Sequence, residues 1–365
     1  MSRASRVQSQ RVRSFVEEYA KPMGDTFTSL LGRLSGGEDL SFDEMQDAIG
    51  QVMTGGCGEA EIAILLTALR AKGETVDEVA GAAAAMRRHM TPIRSRHTQL
   101  LDTCGTGGGG SDIFNVSTTA ALVIAAAGVP VAKHGNRSVT SKSGSADVLA
   151  KLGVNIEASV PQVERCLDEL GVCFCFAPLM HPAMKHVAAV RKQLGVRTIF
   201  NLLGPLANPA GARFQLLGVG LAELRPLIAS ALKRLGTERA LVVSGRDGLG
   251  EVTLANTTDV TQVESQSETE FTWSPEDFGL TRASLDEMRV AGPAESATLV
   301  RGVLAAEPGP ARDIVVLNAA AGLMAAGRAT SPLEAVAVVT EAIDCGEAAR
   351  LLRRLVRLTH EPIAA

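Results

Sequence analysis

The pattern of apolar and polar positions divides the chain into a helical first part and a longer part in which strands alternate with helices. In the first part, Ser41–Glu44 and Thr75–Glu78 have the form of a capping box, and Ala60–Leu69 consists of helix-forming residues. This pattern predicts a small helical domain over residues 26–93. Residues 1–25, which lack an apolar core, are expected to be a flexible N-terminal extension.

From residue 94 onward, short apolar runs alternate with helical stretches, which is typical of a mostly parallel sheet covered by helices on both faces. The fold class is therefore α/β, with a small helical N-terminal domain and a larger α/β domain over residues 94–365. Helices from about 177–202 are expected to join the helical domain. The predicted strands are Leu100–Leu101 with the residues that follow, Val129–Ala132, Val172–Phe176, Leu216–Val219, Ala240–Val243 and Ile314–Leu317. The Ser-, Thr- and Glu-rich stretch 257–274 is predicted to be a surface excursion.

Composition excludes several classes of protein. Apolar residues make up 46% of the 365 residues and charged residues 21%, so a large core can form and disorder is not expected over most of the chain. The net charge is −4 and aromatics are only 3%, which argues against a nucleic-acid partner. No apolar run approaches the roughly 18 residues of a membrane span, so no membrane partner is expected.

Cysteine usage indicates a reducing compartment. The six cysteines lie mostly within apolar stretches, and the one close pair, Cys173 and Cys175, lacks the usual spacing of a zinc knuckle. They are predicted to be buried reduced thiols, and the protein is expected to be cytoplasmic.

Two polar loops follow predicted strands and carry the candidate chemistry. Gly105–Gly110 leads into a helix, and converging backbone N–H groups there favour an anion. The run Lys133–Ser141 follows the next strand and adds a cation, amides and hydroxyls. Because ligands bind beyond the carboxyl ends of strands, the two loops together suit a phosphorylated substrate. A tight turn and a solvated surface loop are the alternatives.

A third polar segment runs from His181 to Lys192 and places several cations on a predicted helix. Arg191 is suited to hold a substrate carboxylate through two parallel hydrogen bonds. The alternative is an ordinary solvated helix face.

Six motifs in this order resemble the anthranilate phosphoribosyltransferase family, over about residues 26–345. They are Gly105-Thr-Gly-Gly108, Asn115-Val-Ser-Thr118, Lys133-His-Gly-Asn-Arg137, Ser143-Gly-Ser-Ala-Asp147, His181-Pro-Ala-Met184 and Arg197-Thr-Ile-Phe-Asn-Leu-Leu-Gly-Pro205. The resemblance implies transfer of a 5-phosphoribosyl group from phosphoribosyl pyrophosphate to the amine of anthranilate, with Mg²⁺ and release of pyrophosphate. It also implies a fold shared with pyrimidine nucleoside phosphorylases and a homodimer formed through the helical domain.

The resemblance further implies the site residues. Those expected at phosphoribosyl pyrophosphate are Gly105, Gly108, Gly109, Ile113, Asn115, Val116, Ser117, Thr118, Lys133, His134, Gly135, Asn136, Arg137, Ser138, Val139, Thr140, Ser141 and Ser145. Those expected at anthranilate are Gly105, His134, Asn136 and Arg191. Ser117 and Glu251 are expected to ligate Mg²⁺. No catalytic general base is expected, because an aromatic amine is already a free nucleophile.

Three positions depart from the family pattern. Gly109 stands where the family has Asp, Ile113 where it has Thr, and Gly250 precedes Glu251 where it has an Asp-Glu pair. Two carboxylates are thus missing near the expected metals, which predicts weaker or altered Mg²⁺ dependence. Asp112 and Asp247 are candidates to compensate.

Other functions remain open on the sequence alone. One is a transferase or phosphorylase of the same fold with a different nucleophile, although Arg191 favours a substrate with a carboxylate. Others are a non-catalytic nucleic-acid-binding relative and an inactive regulatory partner, the latter suggested by the missing carboxylates.

Overall fold

The described part of the chain forms two compact units. The computed structural model describes residues 25–107, 112–138, 141–265 and 267–363. The first unit contains the described residues up to Met90 together with His181–Ala207. The second contains the described residues of Thr91–Met180 and those from Asn208 onward. Most of the predicted N-terminal extension therefore lies outside the described residues.

Helices dominate the described chain. In chain order they are α1 (Asp25–Ser35), α2 (Phe42–Met53), α3 (Glu59–Lys72), α4 (Val76–Arg88), α5 (Val116–Ala126), α6 (Ser145–Leu152), α7 (Val160–Leu170), α8 (Ala177–Met180), α9 (Lys185–Leu194), α10 (Phe200–Leu203), α11 (Arg225–Arg234), α12 (Pro293–Leu304), α13 (Pro310–Ala325), α14 (Pro332–Asp344) and α15 (Glu347–His360). Short 3₁₀ turns occupy Pro182–Met184, Gly204–Leu206, Ala222–Leu224, Pro275–Phe278 and Leu285–Met288.

The first unit is helical, and both predicted capping boxes are present in it. Glu44 accepts a hydrogen bond from the Ser41 backbone N–H (2.9 Å) at the start of α2, and Glu78 accepts one from Thr75 (2.8 Å) at the start of α4. Glu78 is fully buried and also accepts from the Leu40 N–H (3.0 Å). A residue that caps one helix thus also fixes the chain that leads into another.

The second unit is built on a seven-stranded sheet in the order β3-β2-β1-β4-β5-β6-β7. The strands are β1 (Leu101–Gly105), β2 (Val131–Gly135), β3 (Val172–Phe176), β4 (Phe214–Gly218), β5 (Arg239–Gly245), β6 (Thr258–Glu264) and β7 (Ser267–Trp273). β1 to β5 run parallel to one another, whereas β6 pairs antiparallel with both β5 and β7. The parallel strands are almost entirely buried, as expected where helices cover both faces.

The structure confirms the predicted fold class of a helical unit and a mostly parallel α/β unit. No helix of the described residues is long and apolar enough to cross a membrane. All six cysteines are free thiols, four of them buried, whereas Cys57 is partly buried and Cys345 is exposed.

Two element predictions are wrong. Ile314–Leu317 lies inside helix α13 and not in a strand, because Pro310 begins a helix there whose apolar residues are buried on nearly every side. The stretch 257–274 is predicted to be a surface excursion but forms β6 and β7, which extend the sheet. Its polar residues fit an edge because β7 exposes residues to water on both faces and buries only Trp273.

Candidate anion and metal site

The carboxyl ends of β1, β2, β4 and β5 lie at one edge of the sheet, because these strands run parallel. Gly105 ends β1 and Gly135 ends β2, so the two predicted polar loops leave the same edge. The segment after β5 carries Glu251. Open α/β sheets bind ligands beyond this edge, and the candidate residues of the second unit gather there.

Asp147, in the first turn of α6, organises the loop after β2. Its Oδ2 accepts hydrogen bonds from the backbone N–H groups of Ser138 (2.9 Å) and Gly144 (3.1 Å), and its Oδ1 accepts from Arg137 (3.1 Å). A Cβ on Gly144 would lie 2.2 Å from the Ser138 nitrogen, so only glycine allows this close approach. The Arg137 guanidinium also lies over the Phe176 ring.

Further bonds bring predicted substrate residues of this loop together. Ser145 Oγ donates to the Asn136 carbonyl (3.2 Å), and the Ala146 N–H donates to the same oxygen (3.2 Å). Ser138 and Ser141 join through their hydroxyls (2.9 Å). Four of the residues expected at phosphoribosyl pyrophosphate are therefore joined in two hydrogen-bonded pairs beyond the end of β2: Asn136 with Ser145, and Ser138 with Ser141.

Asn115 precedes helix α5 and is held by two serines from distant segments. Its Oδ1 accepts from Ser143 Oγ (2.6 Å) and Ser296 Oγ (2.8 Å). Its Nδ2 donates to the Ser143 carbonyl (3.1 Å), and its backbone N–H donates to Ser296 Oγ (3.1 Å). The amide of this predicted substrate residue is therefore fixed in orientation.

The two predicted metal ligands lie near each other, because the Ser117 backbone and hydroxyl both act on the pKa of Glu251. Burial raises this pKa to about 7, while Lys133 and Ser117 act in the opposite direction. A hydroxyl beside a carboxylate fits Mg²⁺, which prefers oxygen ligands and usually takes only one or two carboxylates when phosphates complete its shell.

Close backbone packing fixes the position of Glu251. A Cβ on Gly218, at the end of β4, would lie 1.8 Å from the carbonyl oxygen of Gly250. On the other side, the buried Asn318 of α13 donates to the Val252 carbonyl (2.8 Å) and accepts from the Val252 N–H (2.9 Å). The residues before and after Glu251 are thus both fixed.

Lys133 on β2 and Asp102 on β1 are buried ionisable residues. Burial lowers the pKa of Lys133, opposed by Asp102, and its ammonium donates to the Thr103 carbonyl. Burial likewise raises the pKa of Asp102, which accepts from the His134 N–H (3.1 Å) and Asn208 Nδ2 (2.8 Å). Asp102 therefore holds the end of β2 from which the second polar loop leaves.

Asp247, one candidate to replace the missing carboxylates, is hydrogen-bonded within its own loop. The Asp247 carboxylate accepts from the Leu249 N–H (3.1 Å) and from the Thr253 hydroxyl, which closes its own loop. Asp112 has a left-handed backbone, with φ of 47°. Over the described ranges, no group of three or more His, Cys, Asp and Glu side chains could hold a metal ion. The described part of the site therefore fits few protein ligands for Mg²⁺.

Arg191 lies on α9, in the helical unit. Its guanidinium lies over the Phe200 ring, 5.7 Å from the centroid, and burial lowers its pKa. In the part of the chain that the structure describes, it forms no ion pair with a carboxylate. A partly buried guanidinium without an acidic partner can accept a carboxylate from a ligand.

Four of the predicted site residues lie outside the described residues: Gly108, Gly109, Val139 and Thr140. Other residues that hold the site together were not predicted. Sequence reasoning did not single out Asp102, Asn208, Ser296 and Asn318. No local signal indicates these four, because their partners are distant in sequence. Asp147 ends the motif Ser143–Asp147, and its place three residues after Gly144 is the local signal of its capping role.

This fold and this site define a class of protein. The chain matches the model of the glycosyl transferase family, a/b domain, over residues 97–349. It also matches the model of the glycosyl transferase family, helical bundle domain, over residues 28–90.

More specific relatives narrow that class. The chain is 48% identical over 330 residues to anthranilate phosphoribosyltransferase of Rhodopirellula baltica, covering 90% of this chain and 96% of the relative. It matches the crystal structure of anthranilate phosphoribosyltransferase from Thermus thermophilus with 45% identity and a TM-score of 0.85, over 91% of this chain and 99% of that one. The Saccharomyces cerevisiae enzyme in complex with PRPP and Mg matches with 29% identity and a TM-score of 0.84, over 92% and 98% of the two chains. This chain belongs to the anthranilate phosphoribosyltransferase family.

Proposed function

We propose that this chain transfers the 5-phosphoribosyl group of phosphoribosyl pyrophosphate to the amine of anthranilate, as part of tryptophan biosynthesis. The observation that carries the proposal is that both polar loops leave the sheet at the same edge, where Ser117 also lies near Glu251. Relatives with this name cover nearly the whole chain, and one is described in complex with PRPP and Mg.

In the reaction, the bond between the anomeric carbon and pyrophosphate breaks, and its electron pair leaves with pyrophosphate. The lone pair of the anthranilate amine forms the new carbon–nitrogen bond, and the surplus proton of that nitrogen passes to solvent. Such a reaction requires positioning and neutralisation of the leaving group more than proton transfer.

The loops of the second unit are proposed to bind phosphoribosyl pyrophosphate. The loop that Asp147 organises presents Asn136, Ser141 and Ser145 together, and the buried ammonium of Lys133 supplies positive charge beneath it. Backbone N–H groups at the start of α5 are suited to phosphate oxygens. Ser117 and Glu251 would hold Mg²⁺, which neutralises charge on the pyrophosphate when bound.

Anthranilate binding is assigned to Arg191 together with Gly105, His134 and Asn136. Support for Arg191 comes from its partly buried guanidinium, which pairs with the Phe200 ring and with no carboxylate of the described chain. The carboxylate of anthranilate matches the planar fork of arginine. The aromatic amine attacks without prior deprotonation, so no general base is assigned.

Assembly and location complete the proposal. The chain is expected to form a homodimer through the helical unit, which sedimentation of the purified protein measures. Its six free cysteines favour the cytoplasm. The boundary between the predicted domains, at residues 93 and 94, stays a prediction.

The test follows the fluorescence of anthranilate during incubation with the purified chain, phosphoribosyl pyrophosphate and Mg²⁺. Loss of fluorescence should require all of these components, and omission of any one should abolish it. No loss from folded protein over a full Mg²⁺ titration would contradict the proposed reaction.

A further inference from the structure

We propose that Ser296 is a positioning residue, which holds Asn115 as a hydrogen-bond donor toward the phosphates of phosphoribosyl pyrophosphate. The inference rests on the proposed function, since it concerns how the substrate is bound. Ser296 lies on α12, far from every motif of the site in sequence, yet it is fully buried against Asn115.

The first step concerns the hydroxyl of Ser296. It accepts the backbone N–H of Asn115 at 3.1 Å and donates to the side-chain Oδ1 of the same residue at 2.8 Å. One hydroxyl therefore holds both the main chain and the side chain of Asn115. Such a two-point contact fixes the rotamer of the side chain as well as its position.

The second step concerns the remaining polar atoms of the Asn115 amide. Its Oδ1 also accepts from Ser143 Oγ at 2.6 Å, so both acceptor positions of this oxygen are used. One Nδ2 hydrogen donates to the Ser143 carbonyl at 3.1 Å. A single Nδ2 hydrogen remains for a ligand, so the residue can offer only a donor, and phosphate oxygens are acceptors.

The third step shows why α12 is placed to do this. The segment before Asn115 pairs with the segment before α12: the Phe114 N–H donates to the Met288 carbonyl (3.0 Å), and the Val290 N–H donates to the Asp112 backbone carbonyl (2.9 Å). This backbone pairing holds the chain that leads into Asn115, independently of the contact that Ser296 makes with it. Loss of the Ser296 hydroxyl should therefore disturb the Asn115 amide and leave the backbone pairing in place.

The test measures binding of phosphoribosyl pyrophosphate with Mg²⁺ by calorimetry, without anthranilate, so that no turnover occurs. Ser296→Ala should weaken this binding about tenfold, the effect expected when hydrogen bonds that orient a ligand donor are lost. Thr298→Ala is the matched control, because Thr298 is exposed on the same helix and its hydroxyl donates to the Ala294 carbonyl (3.2 Å) of its own helix. It should bind like the wild type.

A double variant separates positioning from general destabilisation. In an Asn115→Ala background, Ser296→Ala should have almost no further effect on the binding of phosphoribosyl pyrophosphate. The same tenfold loss with and without Asn115 would overturn the proposal, as would unchanged binding by Ser296→Ala alone. Because the readout is binding, it stands even if the wild type fails to consume anthranilate, which would count against the proposed function instead.

Discussion

Gly218→Ala tests whether close backbone packing places the metal-binding residues. The added Cβ would lie 1.8 Å from the Gly250 carbonyl oxygen, whereas real Cβ contacts are essentially never under 3.0 Å. The backbone at Gly250 would have to move by at least the difference, more than 1 Å. Glu251 follows directly, so its carboxylate would be displaced from Ser117.

The magnitude follows from the size of that displacement. A misplacement of about 1 Å at a site that works by positioning costs on the order of 100-fold in rate, so kcat/KM should fall by about that factor. Overpacking should lower the free energy of unfolding by about 1–3 kcal/mol, which leaves a folded protein to assay. The half-saturating Mg²⁺ concentration should rise, since the displaced group is a metal ligand.

The assay measures initial rates of anthranilate loss over a Mg²⁺ titration, together with chemical denaturation. Gly32→Ala on α1 is the matched control, because a Cβ at Gly32 would meet nothing within 4 Å. It should retain the wild-type rate and Mg²⁺ dependence. Wild-type activity and Mg²⁺ response in Gly218→Ala would refute the packing argument.

Three further predictions address the two units separately. Arg191→Ala should raise the KM for anthranilate about tenfold or more, with the KM for phosphoribosyl pyrophosphate little changed, because a charge-assisted hydrogen bond to carboxylate is lost; equal effects on both constants in steady-state kinetics would disprove the role. Glu251→Gln should raise the half-saturating Mg²⁺ concentration, since it removes an anionic ligand but keeps its shape; an unchanged Mg²⁺ titration would exclude this residue from the metal site. Burial lowers the pKa of His181 from 6.5 to about 4. Between these two pH values the unfolded state binds a proton that the folded state does not. The free energy of unfolding should therefore fall by about 3 kcal/mol as the pH drops from above 6.5 to below 4. Urea denaturation of His181→Gln should show a flatter dependence on pH, and the same slope as the wild type would contradict the assignment.

Local patterns in the sequence were enough for most of the fold. The capping boxes at Ser41 and Thr75 depend on residues three positions apart, and the strand at Val172–Phe176 is a continuous buried run. The strand predicted at Ile314–Leu317 is wrong because a short run of β-branched and aliphatic residues suits both a buried strand and a buried helix. Its helical state depends on burial within the folded unit, which periodicity alone does not show.

The site divides in the same way between local and distant information. Ser117, Lys133 and Asn136 lie in motifs that a reader of the sequence can recognise. By contrast, Ser296 reaches Asn115 across 181 positions, and Asn318 reaches Val252 across 66. Such bonds follow from tertiary packing, and serine and asparagine inside a helix carry no mark of a distant partner. The sequence therefore indicated the residues expected at the substrate but not those that hold them.

The most direct test of the central claim compares pyrophosphate release with anthranilate consumption by the wild-type chain in the presence of Mg²⁺. The account predicts one pyrophosphate for each anthranilate consumed, a product with the mass of N-(5-phosphoribosyl)anthranilate, and no pyrophosphate release when anthranilate is omitted. Pyrophosphate release without anthranilate consumption, or folded protein that consumes neither substrate, would contradict it.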